Sequence, residues 1–516
     1  MQQSQSKQQV GGILGFIERI GNKIPDITIL FISAFILVCV VSAVLAQIHF
    51  NYVHPATGRP IEITNMLSGK ALVDLMSKMV TNYANFPPLS MVIVATLGIG
   101  IADGSGYINT GLKKILSITP KVLITPVVIL VGMLSHLGPD SGYVIIIPIA
   151  AYMFYAVGKH PLAGIAASFA GIAGAFAANY TPSAIDPVIQ GFTQSAAQII
   201  DPGYQVNVLC NYFYAFASTF IVIGACWWVT EKITNPWLWK ACPLDDDLDL
   251  GNENNSSITP SENRAFKIAT AVLLLMLTGL AAALYSADSI LRAPDGVIAS
   301  FKAPIMQSIV SLIFIFAALV GLVYGIACGK FKSPKDVTAA MEEITKTLVQ
   351  LIVFYVFAAQ FLYAFGASNM GALIAVSGAE FLKSLNLPPQ VTVFGIIVFV
   401  ALLNLIITSA SAKWAILAPI FVPMLMAVGI APELTQVAFR VSDSAVNVVT
   451  PMFAFYPLII LYCQKYVKNA GIGTLSSMML PYTIALLVSL TFMLYLFWWL
   501  DIPLGFQADY VYPRRF

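Results

Sequence analysis

Apolar runs fill most of the chain, and the polar breaks between them are of two kinds. Some are charged loops, such as 49–86 with Arg59, Lys70 and Lys78, or 230–265 with Asp245, Asp246, Asp247 and Asp249. Between them lie apolar stretches of about 20 residues, long enough to cross a bilayer as helices. They predict spans over about 27–48, 87–105, 207–229, 266–287, 304–327, 347–366 and 476–500. The other breaks are short clusters of Gly, Pro, Asn, Ser and Thr set inside apolar sequence. At 179–182 and 447–451 they interrupt two further spans, one starting at Pro161 and one over about 432–462. At 138–142 and 408–413 they separate arms too short to cross, which predicts re-entrant helical hairpins over about 120–157 and 389–429. Non-helical backbone survives at membrane depth only where it is buried in protein or lines a cavity.

The hairpins fall in a repeat. Tyr143, Pro148, Gly158 and Pro161 recur 271 positions later as Trp414, Pro419, Gly429 and Pro432. The expected fold class is therefore an all-α polytopic membrane protein with about nine transmembrane helices and two re-entrant hairpins in an inverted repeat. The divisions expected are a surface segment 1–26, a first repeat 27–229, a linker 230–265, a connecting span and outer loop 266–303, a second repeat 304–500 and a tail 501–516. With the N-terminus inside, 17 of the 27 Lys and Arg fall in inner segments and 8 in outer ones. That bias predicts a cytoplasmic N-terminus and an outer C-terminus. It also makes one hairpin enter from each side, as an inverted repeat requires.

Composition narrows the class. The 516 residues are 58% hydrophobic and 10% charged, with mean hydropathy +0.82, which excludes a soluble globular domain. A net charge of +2 says nothing about nucleic acid or other partners, and no nucleic-acid partner is expected of a chain of this class. The six cysteines are scattered without metal spacing, and the aspartates at 245–247 read as a solvated loop. Arg19 and Lys23 before the first apolar run mark an anchor rather than a cleaved leader.

Candidate chemistry sits where charge enters apolar sequence. Lys413, Arg440 and Asp443 each cost at least ~2.5–3.5 kcal/mol at the bilayer centre, so they should have partners in a wet or protein-lined interior. Arg440 offers a planar fork for a carboxylate, or pairs with Asp443 three residues on. Asn404, Ser409, Ser411, Asn447 and Thr450, with carbonyls freed by Pro419 and Pro451, are oxygen ligands suited to Na⁺. Asp443 completes a Na⁺ site with Asn404 or takes up a proton. Asp140, Asn179, Thr181 and Asp186 are the mirrored candidates in the first half, and Gly164, Gly171 and Gly174 read as close helix packing. Interrupted helices meeting at the midplane are the build of a secondary transporter, with no cofactor beyond a bound Na⁺. No Gly-rich phosphate loop, His-Glu-x-x-His or nucleophile elbow is present, against ATP-driven transport and against an intramembrane enzyme.

The run 411–423 (Ser-Ala-Lys-Trp-Ala-Ile-Leu-Ala-Pro-Ile-Phe-Val-Pro), with 439–444 (Phe-Arg-Val-Ser-Asp-Ser), 18–23 and 158–161, resembles the AbgT family of p-aminobenzoyl-glutamate transporters across essentially the whole chain. The resemblance implies a homodimer in the bacterial inner membrane, moving p-aminobenzoyl-glutamate or related p-aminobenzoate and sulfonamide antifolate compounds, coupled to H⁺ or Na⁺. It places the family's site on Asp186, Asn404, Ser411, Trp414, Pro419, Arg440, Asp443 and Pro451. Trp414 is then the expected stacking platform for the aryl ring. Lys413 stands where some members carry an apolar residue. The rival transport reading is a Na⁺-coupled dicarboxylate symporter of similar hairpin build, which needs no aromatic platform.

Overall fold

The computed structural model describes residues 25–54, 58–135, 142–245, 258–300 and 302–513. The tip of the first hairpin with Asp140, and Asp246, Asp247 and Asp249, lie outside the described residues. The first half contains α1 (Ile27–Leu45), α2 (Gly69–Ala84), α3 (Pro87–Ser105), α4 (Tyr107–Ser117), α5 (Ile124–Leu134), α6 (Ile147–Ala156), α7 (Pro161–Gly174), α8 (Ile185–Ala197) and α9 (Tyr212–Val229). A connecting set follows: α10 (Asn235–Ala241), α11 (Pro260–Tyr285) and α12 (Pro304–Gln307). The second half holds α13 (Ile309–Ala327), α14 (Pro334–Lys346), α15 (Val349–Ala367), α16 (Met370–Ser384), α17 (Pro389–Asn404) and α18 (Ala410–Met426). It closes with α19 (Pro432–Val446), α20 (Tyr456–Gln464) and α21 (Ile472–Trp499).

The chain is an all-helical, multi-pass membrane protein. Among the described residues seven helices are long and apolar enough to cross a bilayer, or nine if each of two bent pairs is one span. The seven match the uninterrupted spans read from sequence. Helix order repeats from α1–α9 to α13–α21, down to the bends: α4 turns into the arm leading to α5 by 120°, and α16 into α17 by 117°. Pairings repeat too. The crossing of α3 with α13 has its counterpart in α15 with α1, and α5 on α7 in α17 on α19.

Three expectations are corrected. The helices α4 and α16 fill 107–117 and 370–384, outside the expected spans and hairpins; Lys113 and Lys114 interrupt the apolar run in one, and Glu380 and Lys383 in the other. The span ending near 229 continues through a π-turn at Thr230–Thr234 into α10, giving 30 helical residues to Ala241. The tip of the second hairpin is 405–409, not 408–413. The Ser409 hydroxyl accepts from the Ala412 N–H at 3.4 Å and starts α18, so Ser411 and Lys413 lie in its first turns.

The first hairpin's arms are held by close backbone approach. A Cβ on Gly164 would lie 2.5 Å from the Ala150 carbonyl oxygen, and one on Gly171 2.4 Å from that of Ile129. Both arms thus rest on α7, whose residues are buried along its whole length.

Candidate functional site

The two broken spans, α7–α8 and α19–α20, bring the candidate charges together. Asp186 opens α8, where a carboxylate suits the positive helix end. Its Oδ2 accepts from the Ser183 N–H at 2.7 Å and hydroxyl at 3.1 Å. Its Oδ1 receives Arg440 Nη1 at 2.7 Å. Arg440 also donates from Nε to the Phe176 carbonyl at 2.8 Å and lies over that residue's ring, 5.3 Å from its centre. The expected Arg440–Asp443 pair is not formed.

Asp443 is paired instead with Lys413, Nζ to Oδ1 at 2.5 Å, with side chains 1% and 0% exposed. The same ammonium donates to Asn404 Oδ1 and to the Ile407 carbonyl, the latter at 3.1 Å in the unwound tip. Lys413 thus ends inside the protein, without reaching water. Asn404 Nδ2 donates to the Asp443 backbone carbonyl at 3.1 Å, and Asn447 Nδ2 to Asp443 Oδ2 at 2.9 Å. Thr450 ties its break to the tip, donating to the Leu405 carbonyl at 2.7 Å. Pro451 follows in the turn, half-buried, and Pro419 is buried inside α18.

Aromatic rings join the two charge pairs. Lys413 Nζ lies 5.7 Å from the Phe439 ring centre, and Phe439 meets Phe176 edge-on at 6.1 Å. Trp414 stacks on Phe439 at 4.5 Å, is fully buried, and donates its indole N–H to Thr193 at 2.9 Å. From Thr193 the bonds run on through Gln436 to Asn211. In this conformation Trp414 offers no open face to a ligand.

The open aromatic surface lies elsewhere, in a cavity of about 310 Å³ between the halves. Tyr143 from the first hairpin and Phe455 from the second broken span stack on each other at 4.4 Å, and Phe453 joins them. Ser411 contributes to its wall, as do Ala184 and Ile185 beside Asp186. Asp186 itself lines a small crevice together with Asn179, Thr181, Asn211 and Arg440. Asn179 takes the Thr181 N–H and hydroxyl on Oδ1, both at 3.1 Å, while its Nδ2 is buried without a partner among the described residues. Among the described candidates, Ser411 alone lines the cavity; Lys413, Asp443, Asn404, Asn447 and Thr450 form a separate cluster at the second tip. Sequence reasoning overlooked Tyr143, Phe453 and Phe455 as lining residues. The available signal was position: Tyr143 is the repeat mate of Trp414.

The AbgT transporter family model matches residues 12–512. The chain belongs to the AbgT transporter family. It is 32% identical over 511 residues to the p-aminobenzoyl-glutamate transport protein of Escherichia coli strain K12, covering 99% of this chain and 98% of that one. Among solved structures, the Neisseria gonorrhoeae MtrF, described as illuminating a class of antimetabolite efflux pumps, superposes with a TM-score of 0.90 at 39% identity, covering 96% of this chain and 100% of that one. The Alcanivorax borkumensis YdaH transporter gives 0.87 at 36% identity, with 93% and 100% covered. The protein is thus a membrane transporter rather than an enzyme.

Proposed function

We propose that the protein carries p-aminobenzoyl-glutamate, or a related p-aminobenzoate or antifolate, across the bacterial inner membrane by alternating access, driven by a gradient of H⁺ or Na⁺. The cavity between the halves carries this reading. Its volume lies at the lower end of the range for small-molecule sites. Tyr143, Phe453 and Phe455 supply ring faces for a benzoyl group, and Ser411 a hydroxyl for its polar substituents. Arg440 stands past Asp186 as a carboxylate receptor reached when the broken spans shift. The E. coli relative's p-aminobenzoyl-glutamate supports the aromatic carboxylate, and the efflux class of the Neisseria neighbour supports antifolates among the compounds carried.

Hairpins inserted from opposite sides, a cytoplasmic N-terminus, an outer C-terminus and assembly as a homodimer belong to the same proposal. The test is flux of radiolabelled p-aminobenzoyl-glutamate and p-aminobenzoate in proteoliposomes under separate pH and Na⁺ gradients. Gradient-driven accumulation or depletion of either compound is expected; no flux of either under any gradient overturns the reading.

A further inference from the structure

We propose that Lys413 is a resident cation, its ammonium holding the place a soluble Na⁺ would take beside Asp443, so that the transporter works without Na⁺. The inference rests on the transport reading and narrows its energy source. The sequence pattern had assigned Asn404 and Asp443 to Na⁺, and the test of fit is what those oxygens do here.

They are already used. An ammonium has three N–H donors and no acceptor. Lys413 Nζ donates to the Asn404 amide oxygen and to the Ile407 carbonyl, the latter at 3.1 Å, and forms an ion pair with Asp443 Oδ1 at 2.5 Å. Carboxylate, side-chain amide and freed backbone carbonyl are the oxygen types by which broken helices hold Na⁺. Asp443 and Lys413 neutralise each other, so a Na⁺ on the same carboxylate would bring two cations together in a buried, weakly screened place. Arg440 does not alter that balance, since Asp186 answers its charge.

The placement is not a by-product of helix packing. Lys413 lies in the first turns of α18, the end of a helix that disfavours cations, and its side chain is wholly inaccessible. A lysine persists there only with a dedicated set of acceptors, and the unwound tip 405–409 provides one of them. Removing the ammonium leaves a carboxylate and two carbonyl oxygens facing one buried point, which is the donor set for a Na⁺.

Two measurements test this on the full-length protein. In detergent, NaCl is titrated against choline chloride at constant ionic strength and pH while thermal unfolding is followed. The wild type should show no difference between the salts; Lys413→Ala should melt higher in Na⁺; and Lys413→Ala with Asp443→Ala should lose that gain. In proteoliposomes at fixed pH, replacing Na⁺ by choline should leave wild-type p-aminobenzoyl-glutamate flux within about twofold. A Na⁺-specific rise in wild-type melting, or a wild-type flux that collapses without Na⁺, overturns the proposal. If Lys413→Ala does not fold, Lys413→Met takes its place, and the wild-type arms decide by themselves. Absence of flux in every gradient would instead overturn the transport reading, while the melting comparison still decides whether Na⁺ is displaced.

Discussion

Arg440 and Asp186 meet at 2.7 Å, one from each broken span, so an ion pair ties the two halves of the chain together beside their cavity. Arg440 takes this partner rather than Asp443, three residues on in its own helix, because Asp443 is held by Lys413. The guanidinium spans two acceptors at once, the Asp186 carboxylate and the Phe176 carbonyl. Lysine has the charge but not the fork. Arg440→Lys should therefore weaken binding of p-aminobenzoyl-glutamate about tenfold or more, roughly 1.4 kcal/mol. Calorimetry on purified protein reads this directly; unchanged affinity would mean that the substrate never touches the guanidinium.

Asp443→Asn should be costly for stability as well as for transport. It keeps the shape of the side chain but leaves the Lys413 ammonium buried without its counter-charge. Breaking a buried pair by removing one partner typically costs ~3–5 kcal/mol, whereas replacing both partners by apolar residues is often neutral. Lys413→Met with Asp443→Leu should thus melt near the wild type while remaining inactive. If Asp443→Asn alone melts like the wild type, the pair contributes little to the fold.

The spans and the breaks were legible because each depends on local chemistry. Apolar length defines a membrane helix, and a proline or an Asn-Tyr-Thr-Pro cluster interrupts it. Both broken spans fall where the pattern put them, at α7–α8 and α19–α20. The charge partners were not legible. Arg440–Asp186 and Lys413–Asp443 are long-range pairs, and at the level of sequence the i,i+3 neighbour Asp443 was the nearer candidate for Arg440. The role of Trp414 failed for a related reason. Its place in the repeat marks a special position, but whether a ring faces a cavity or the core depends on what α8 and α19 bring against it. Here that is Thr193 and Phe439.

Packing of the first hairpin gives a test that alters no charge. Gly171 sits on α7 where an added Cβ would be 2.4 Å from a backbone oxygen of α5, an atom that moves only with its helix. Gly171→Ala should displace the arm and destabilise the protein by ~1–3 kcal/mol, the usual cost of overpacking. Gly224, with nothing within 4 Å of an added Cβ, is the matched control, and Gly224→Ala should leave melting unchanged or slightly raised. Thermal unfolding of the two variants side by side separates close approach from a general effect of replacing glycine in a helix.

The aromatic wall of the cavity makes the sharpest functional prediction, because two sets of rings compete for the same role. Phe455 is half-buried and stacked on Tyr143 at the cavity, whereas Trp414 is wholly buried against Phe439. An aromatic pair contributes ~0.5–1.5 kcal/mol beyond its buried area. Phe455→Ala should therefore raise KM for p-aminobenzoyl-glutamate by about threefold to tenfold. Trp414→Phe keeps a ring on Phe439 but loses the N–H bond to Thr193 and part of the buried ring volume, so it should lower stability by ~1–3 kcal/mol with KM nearly unchanged. Transport kinetics in vesicles decide between the two. A raised KM in Trp414→Phe with a normal one in Phe455→Ala would move the ring platform to Trp414, and would require a conformation in which Phe439 withdraws to open its face.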